Sequence, residues 1–316
     1  MTAKPIWTIA KVLDWTKQYF AEKGLENPRL DAEILLCSVL KCQRITLYVH
    51  FDQPLEEHEL AQYRGYVARR AAAEPLAYIL GSRAFMKYDF KVTPDVLVPR
   101  PETELLVECT AKLAGFIERP QILDIGTGSG AIIVSLLDML PEAHGTAVDV
   151  SPGALAVAKE NAANIGVAER LQFVRSDLYS ALPRDAVFDV IISNPPYIPS
   201  ADIAGLAADV KREPRLALDG GADGLNFYRR IIAGSTAHLK DGGFMAFEIG
   251  INQGSAVADL CRSHGFGVVA VRRDYAGIER MVFAAKEGTT YADALLELAK
   301  CCLLYTSPSP RDMRRS

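Results

Sequence analysis

From Gln121 onward, short apolar runs alternate with stretches of helical period. The runs at 121–125, 144–150, 170–175, 187–193 and 243–249 have the length and β-branched content of buried strands. Helical patterns near 131–140, 151–165 and 225–239 lie between them. This alternation predicts an α/β domain whose parallel sheet carries helices on both faces. After a helix near 252–264, the runs 266–273 and 279–285 flank the short connection Tyr275-Ala276-Gly277-Ile278, which predicts an antiparallel pair at the sheet edge.

Upstream, residues 1–80 read as helices only. Asn27 before Pro28 is a cap followed by proline at the first helical position, with Leu30, Ile34 and Leu35 at helical spacing. A second helix is signalled over Pro54 to Ala73, with Glu56, Glu57 and Glu59 at its start and Arg69 and Arg70 at its end, matching the dipole. Between 81 and 100, Phe85, Tyr88, Phe90, Val92, Val96 and Val98 sit among Gly81, Pro94 and Pro99, as in a hairpin or extended linker. The expected organisation is a helical domain over 1–80, a hairpin linker over 81–100 and an α/β domain over 101–286. Residues 287–316 are expected to be a tail, disordered or non-native, because Cys301 to Ser316 offer no periodic apolar face; Tyr291 to Leu298 also fit one amphipathic helix.

The composition, 49% hydrophobic and 23% charged over 316 residues, is that of a globular protein and excludes wholesale disorder. The formal net charge is −4, and residues 1–80 hold ten Lys and Arg against ten Asp and Glu, so a broad phosphate-binding surface is disfavoured. No apolar run reaches the about 18–20 residues that cross a bilayer, and Met1 to Trp15 lack a secretory signal pattern, so a cytoplasmic protein without membrane contact is expected. Six scattered cysteines with no C-x-x-C pair read as reduced, mostly buried thiols, and no metal site is expected.

The first candidate chemistry lies where the strand Gln121 to Ile125 runs into a helix through Asp124, Gly126, Thr127, Gly128, Ser129 and Gly130. Glycines let backbone come close to a ligand, and N–H groups free at the helix start point towards it. Gly126-x-Gly128-x-x-Ala131 also fits the loose dinucleotide fingerprint, which leaves a nucleotide-binding module without turnover open. Asp124 favours another ligand, since a carboxylate aimed at the loop repels pyrophosphate and attracts a sulfonium. S-adenosylmethionine is therefore the expected cofactor, leaving as S-adenosylhomocysteine. Asp149, at the end of the next strand, is placed to accept from ribose hydroxyls, and Asp177 from an adenine amino group, with Leu178 as an apolar wall. An Asp after a strand is also commonly a cap or turn residue.

The second candidate is Asn194-Pro195-Pro196-Tyr197, fed directly by the strand ending at Ser193. The prolines fix φ and donate no N–H. The Asn194 side-chain oxygen and the Pro195 carbonyl suit the two hydrogens of a planar –NH2, and charge developing on that nitrogen strengthens both bonds. Tyr197 can stack on the flat group. Adenine N6, cytosine N4 and a glutamine amide all satisfy this chemistry.

These residues, with Leu97-Val-Pro99-Arg100-Pro101-Glu102-Thr103-Glu104, Ala147-Val-Asp149-Val-Ser151, Ser176-Asp177-Leu178, Glu213-Pro214 to Leu225 and Arg272 to Arg280, carry a resemblance. The chain resembles the PrmC (HemK) family of peptide chain release factor N5-glutamine methyltransferases, from the N-terminus to about Lys286. The resemblance implies a Rossmann-like S-adenosylmethionine-dependent methyltransferase fold, a seven-stranded mixed sheet with antiparallel last strands, behind a helical domain that docks the release factor. It further implies methyl transfer to the glutamine of the Gly-Gly-Gln motif. In the family the glycine-loop, Asp149 and Asn194 positions bind the donor, and Asn194, Pro195, Pro196 and Tyr197 receive the glutamine. Leu178 stands where some members carry an aromatic residue. Arg100 and Glu102 read either as a helix cap with a local ion pair or as part of the substrate entrance. The alternatives are an N6-adenine nucleic-acid methyltransferase, disfavoured as the charge makes nucleic acid an unlikely direct substrate, and a ribosomal-protein glutamine methyltransferase.

Overall fold

The computed structural model describes residues 6–300. The chain divides into two compact units, one holding the residues up to Ser82 with Ala207–Arg212, the other Arg83–Leu206 with the residues from Glu213 onward.

The first unit consists of α1 (Ile9–Glu22), α2 (Pro28–Leu40), α3 (Arg44–Val49), α4 (Glu57–Ala71) and α5 (Leu76–Leu80). Their apolar faces meet in a core around Phe20, Leu35, Leu36 and Val67. Asn27 holds the position before Pro28, but its side chain makes no capping bond, and Leu30 is exposed rather than part of the core. The start of α4 is closed reciprocally by Glu56 and Glu59. Two buried acids are neutralised locally: Asp31 by Arg70 at 2.7 Å, and Glu33 by Arg29, Arg44 and the Tyr48 hydroxyl.

Leading from the first unit into the second, β1 (Ser82–Phe85) and β2 (Tyr88–Lys91) form the expected hairpin, whose Phe85 and Phe90 rings meet edge to face at 5.8 Å. There follow α6 (Pro101–Ala114), β3 (Gln121–Ile125), α7 (Ala131–Met139), β4 (His144–Asp149), α8 (Pro152–Ile165), β5 (Leu171–Arg175), β6 (Phe188–Ser193), α9 (Asn226–His238), β7 (Leu239–Glu248), α10 (Gly254–Ser263), β8 (Val268–Arg273), β9 (Glu279–Ala285) and α11 (Thr290–Lys300). β7 begins at Leu239, before the expected 243, because the polar run Asp241-Gly242-Gly243 continues the strand instead of breaking it. Residues 290–300 correct the expected tail. They form a helix with Tyr291 and Leu295 buried, and the Tyr291 ring lies 5.1 Å from that of Phe244. The stretch 301–316 lies outside the described residues.

The sheet has seven strands in the order β5-β4-β3-β6-β7-β9-β8; β5 to β7 are parallel and β9 is antiparallel to both neighbours. Core clusters on both faces leave the middle strands no wet side, which is why they read as unbroken apolar runs. The chain leaves β3 towards β4 on one side and later returns through β6 on the other. The carboxyl ends of β3 and β6 therefore flank the switch point where open α/β sheets bind ligands.

Candidate active site

The register Leu123↔Ile191 and Asp124↔Ile192 sets the loop after β3 beside the loop after β6, and the Ser193 hydroxyl donates to the Ile125 carbonyl at 2.6 Å to tie the two ends. Gly126 and Thr127 donate their N–H groups to the Val148 carbonyl at 2.8 and 3.0 Å, and Gly128 donates to Asp149 Oδ2 at 3.0 Å. The expected ligand-facing amides are those at the helix start; the amides of Gly126, Thr127 and Gly128, ahead of it, are consumed by the end of β4. A carboxylate already holding the loop amide stands against a pyrophosphate there, so the dinucleotide reading of Gly126 to Ala131 loses its physical basis. Gly130, at φ +79°, packs against Ala158, where an added Cβ would meet another at 3.1 Å. Asn161 of α8 couples the loop to the hairpin, donating to the Ser129 and Lys91 carbonyls and accepting from Lys91 N.

Asp124 lies beneath the loop rather than on the cavity wall. It is fully buried; Oδ2 accepts from the Thr127 hydroxyl at 2.7 Å, and Oδ1 has no partner among the described residues. Burial, with the Asp149 charge adding to it, raises its pKa to about 7. A central strand end covered on both sides leaves this carboxylate no water, which corrects its expected place at the surface of the site.

The cavity above is walled by Gly126, Thr127, Gly128, Ser129, Asp149, Asp177, Leu178, Asn194, Pro195 and Pro196, together with Asp95 and Arg100. Gly130 is not on that wall. Asp95, Asp149 and Asp177 outnumber the one lining cation, so the wall favours a positive ligand. Asp149 also accepts from Ser151 N at 2.9 Å, and burial raises its pKa. Asp177 is largely exposed and paired with Arg230 at 2.7 Å, while Leu178 turns at φ +53° to set its side chain against the core below.

Arg100 precedes α6 and is bonded to Glu213 at 2.5 Å, and Glu213 also accepts from Val98 N at 2.9 Å. The local pairing with Glu102 is thus replaced by a buried partner 113 residues away. Glu102 is not on the cavity wall. Nor is Tyr197, whose ring packs against the core. Its carbonyl accepts from Gln253 at 2.9 Å, and glycines crowd the same turn: a Cβ on Gly220 would lie 2.8 Å from the Pro196 carbonyl oxygen, and one on Gly224 would fall against the Tyr197 carbonyl. Stacking by Tyr197 on a ligand within this cavity is therefore corrected.

Asp95 on the cavity wall escaped sequence reasoning, as did the roles of Thr103 and Glu248. Asn194 Nδ2 donates to Thr103 Oγ1 at 3.4 Å, and Thr103 donates to Glu248 at 2.5 Å. Thr103 and Glu248 are both buried, and burial raises the Glu248 pKa to about 7. One signal was available: a lone carboxylate closes the otherwise apolar run Phe244-Met245-Ala246-Phe247.

Known proteins match the chain over both units. Residues 11–81 match the PrmC N-terminal domain, and residues 101–209 match the methyltransferase small domain. The release factor glutamine methyltransferase of Geobacter sulfurreducens is 49% identical over 284 residues, covering 89% of this chain and 98% of that protein. The chain belongs to the release factor glutamine methyltransferases. A second member of this family, from Moorella thermoacetica, is 44% identical over 278 residues, with 88% of this chain and 98% of the relative covered. Among solved structures, the hMettl16 catalytic domain in complex with a MAT2A 3′UTR hairpin shares the fold, with a TM-score of 0.54 at 16% identity, covering 74% of this chain and 84% of that one. Family membership makes this chain a methyltransferase, and no helix among the described residues is long and apolar enough to cross a membrane.

Proposed function

We infer that the chain methylates the side-chain amide of the glutamine in the Gly-Gly-Gln loop of peptide chain release factors, with S-adenosylmethionine as donor and S-adenosylhomocysteine as product. The observation that carries the reading is the placement of Asn194 and Pro195 on the wall of an acidic cavity at the switch point of the sheet. The residues present fit the donor. Three carboxylates on the wall suit a cation, the positions above Gly126 and Gly128 are open, and Leu178, Ile132 and Phe227 supply an apolar surface for a base. Asp149, Asp177 and Leu178 would hold the adenosine end. When bound, S-adenosylmethionine supplies an electrophilic methyl group on a positively charged sulfur.

The chain's own part is positioning. Amide nitrogen is a poor nucleophile because its lone pair is delocalised. Asn194 Oδ1 and the Pro195 carbonyl accept its two hydrogens and hold the lone pair along the line of transfer. As positive charge grows on the nitrogen both bonds strengthen, so stabilisation is greatest in the transition state, and the methylated cationic nitrogen then releases one of the two hydrogens as a proton to solvent. The two prolines keep that pair of oxygens stiff. Arg100, fixed through Glu213, is proposed to border the substrate entrance, and Glu102 is proposed at its outer edge. The helical unit is proposed to dock the release factor, a role suited to its exposed Ile45, Val49 and Phe51. Methyl-labelled S-adenosylmethionine should label a purified release factor and leave a release factor with that glutamine replaced by alanine unlabelled. Equal labelling of both, or of neither, contradicts the reading.

A further inference from the structure

The side-chain amide of Asn194 has two ends, and only one of them is useful to an –NH2 acceptor. Nothing in an asparagine itself decides which end faces the cavity. The decision is made behind it. Ser193 pairs with Phe247 between β6 and β7, so Asn194 and Glu248 stand side by side where the two strands end, and the first turn of α6 brings Thr103 against both. In its ionised form Glu248 only accepts, and in that state the single hydroxyl proton of Thr103 is committed to it. What Thr103 then offers Asn194 is a lone pair, which takes the amide N–H. The opposite rotamer would set Asn194 Oδ1 against two oxygens that have no proton to give, inside a site where both partners are buried.

We propose that Thr103 and Glu248 are positioning residues that lock the Asn194 amide with Nδ2 inward and Oδ1 towards the acceptor nitrogen. The proposal rests on the role given to Asn194 above. In its terms, Glu248 never meets substrate; it polarises Thr103, and Thr103 orders the amide. Arg280, whose charge favours ionised Glu248, and Glu102, whose charge opposes it, are the other charged groups bearing on this carboxylate.

The test uses the full chain with a release factor under steady-state conditions. Thr103→Val removes the hydroxyl at nearly constant shape, and Thr103→Ser restores it. Glu248→Gln replaces an obligate acceptor with a side chain that can donate to Thr103, freeing the hydroxyl proton to turn towards Asn194 and invert the amide. Thr103→Val and Glu248→Gln are expected to lower kcat about 10- to 100-fold. Their KM for the release factor and their S-adenosylmethionine affinity, read by calorimetry, should stay within about threefold, and Thr103→Ser should recover most of kcat. Should Thr103→Val not fold, Glu248→Gln against Thr103→Ser carries the comparison. Wild-type kcat in Thr103→Val or Glu248→Gln overturns the proposal, as does a loss confined to KM or donor affinity, or a Thr103→Ser as impaired as Thr103→Val. Asn194→Ala separates the two levels. If it keeps full activity, the role of Asn194 itself is wrong; if it is inactive while Thr103→Val and Glu248→Gln are unaffected, only the lock is wrong.

Discussion

Asp124→Asn isolates the electrostatics of the buried floor of the site. The wild-type carboxylate is shielded from solvent with one hydrogen-bonded oxygen, and burial raises its pKa to about 7 from the ordinary 3.8. Between those values the folded chain keeps a proton that the unfolded chain has released. The stability contributed is full below the unfolded pKa and is lost as pH rises through about 7. The displacement corresponds to about 4 kcal/mol in total. From about pH 5 to about pH 8 it amounts to about 3 kcal/mol. Asparagine keeps an oxygen for Thr127 and cannot ionise, so its own cost, an amide group without a partner, does not change with pH. Glu248 titrates over the same range in both proteins and cancels from the difference. Urea denaturation of wild type and variant across this range should therefore show the wild type losing about 3 kcal/mol relative to Asp124→Asn as pH rises. Parallel stability curves would refute the claim that this carboxylate is buried in the folded chain without a charged partner.

Three further outcomes follow from the geometry. Asn194→Ala should lower kcat about 100- to 1,000-fold while donor affinity, measured by calorimetry, stays within about threefold. Gly224→Ala forces a side chain into left-handed backbone and against the Tyr197 carbonyl; it should cost about 1–2 kcal/mol in denaturation and, by displacing the Pro195-Pro196 turn, about 100-fold in kcat. Glu213→Gln weakens the hold on Val98 N and Arg100 and should destabilise by about 1–3 kcal/mol, with KM for the release factor rising more than kcat falls.

The sheet was legible because its middle strands, β3 and β6 above all, are covered on both faces and appear in the sequence as their own apolar runs, while edge strand β5 keeps Gln172 and Arg175 exposed. Helices between most of these strands make the connections crossovers and the strands parallel, whereas their order in the sheet came from the structure. The loops after β3 and β6 were legible too, since glycines and paired prolines mark backbone that regular structure does not need. Less was legible where a role depends on distance in the chain. Arg100 and Glu213 are 113 residues apart, and Thr103 and Glu248 are 145 apart, so nothing local joins them. Asp124 misled for another reason: its position in the motif was right, but depth below the loop is a property of packing. Tyr197 misled in the same way, because Gly220 and Gly224 let neighbouring backbone close over its turn while the ring packs into the core.

The most direct measurement is tandem mass spectrometry of a release factor after incubation with the wild-type chain and S-adenosylmethionine, beside the same reaction with Asn194→Ala. The account predicts one added methyl group on the side-chain nitrogen of the Gly-Gly-Gln glutamine with the wild type and none with the variant. A release factor left unmodified by a wild-type chain that binds the donor, or methylated equally by both proteins, would contradict it.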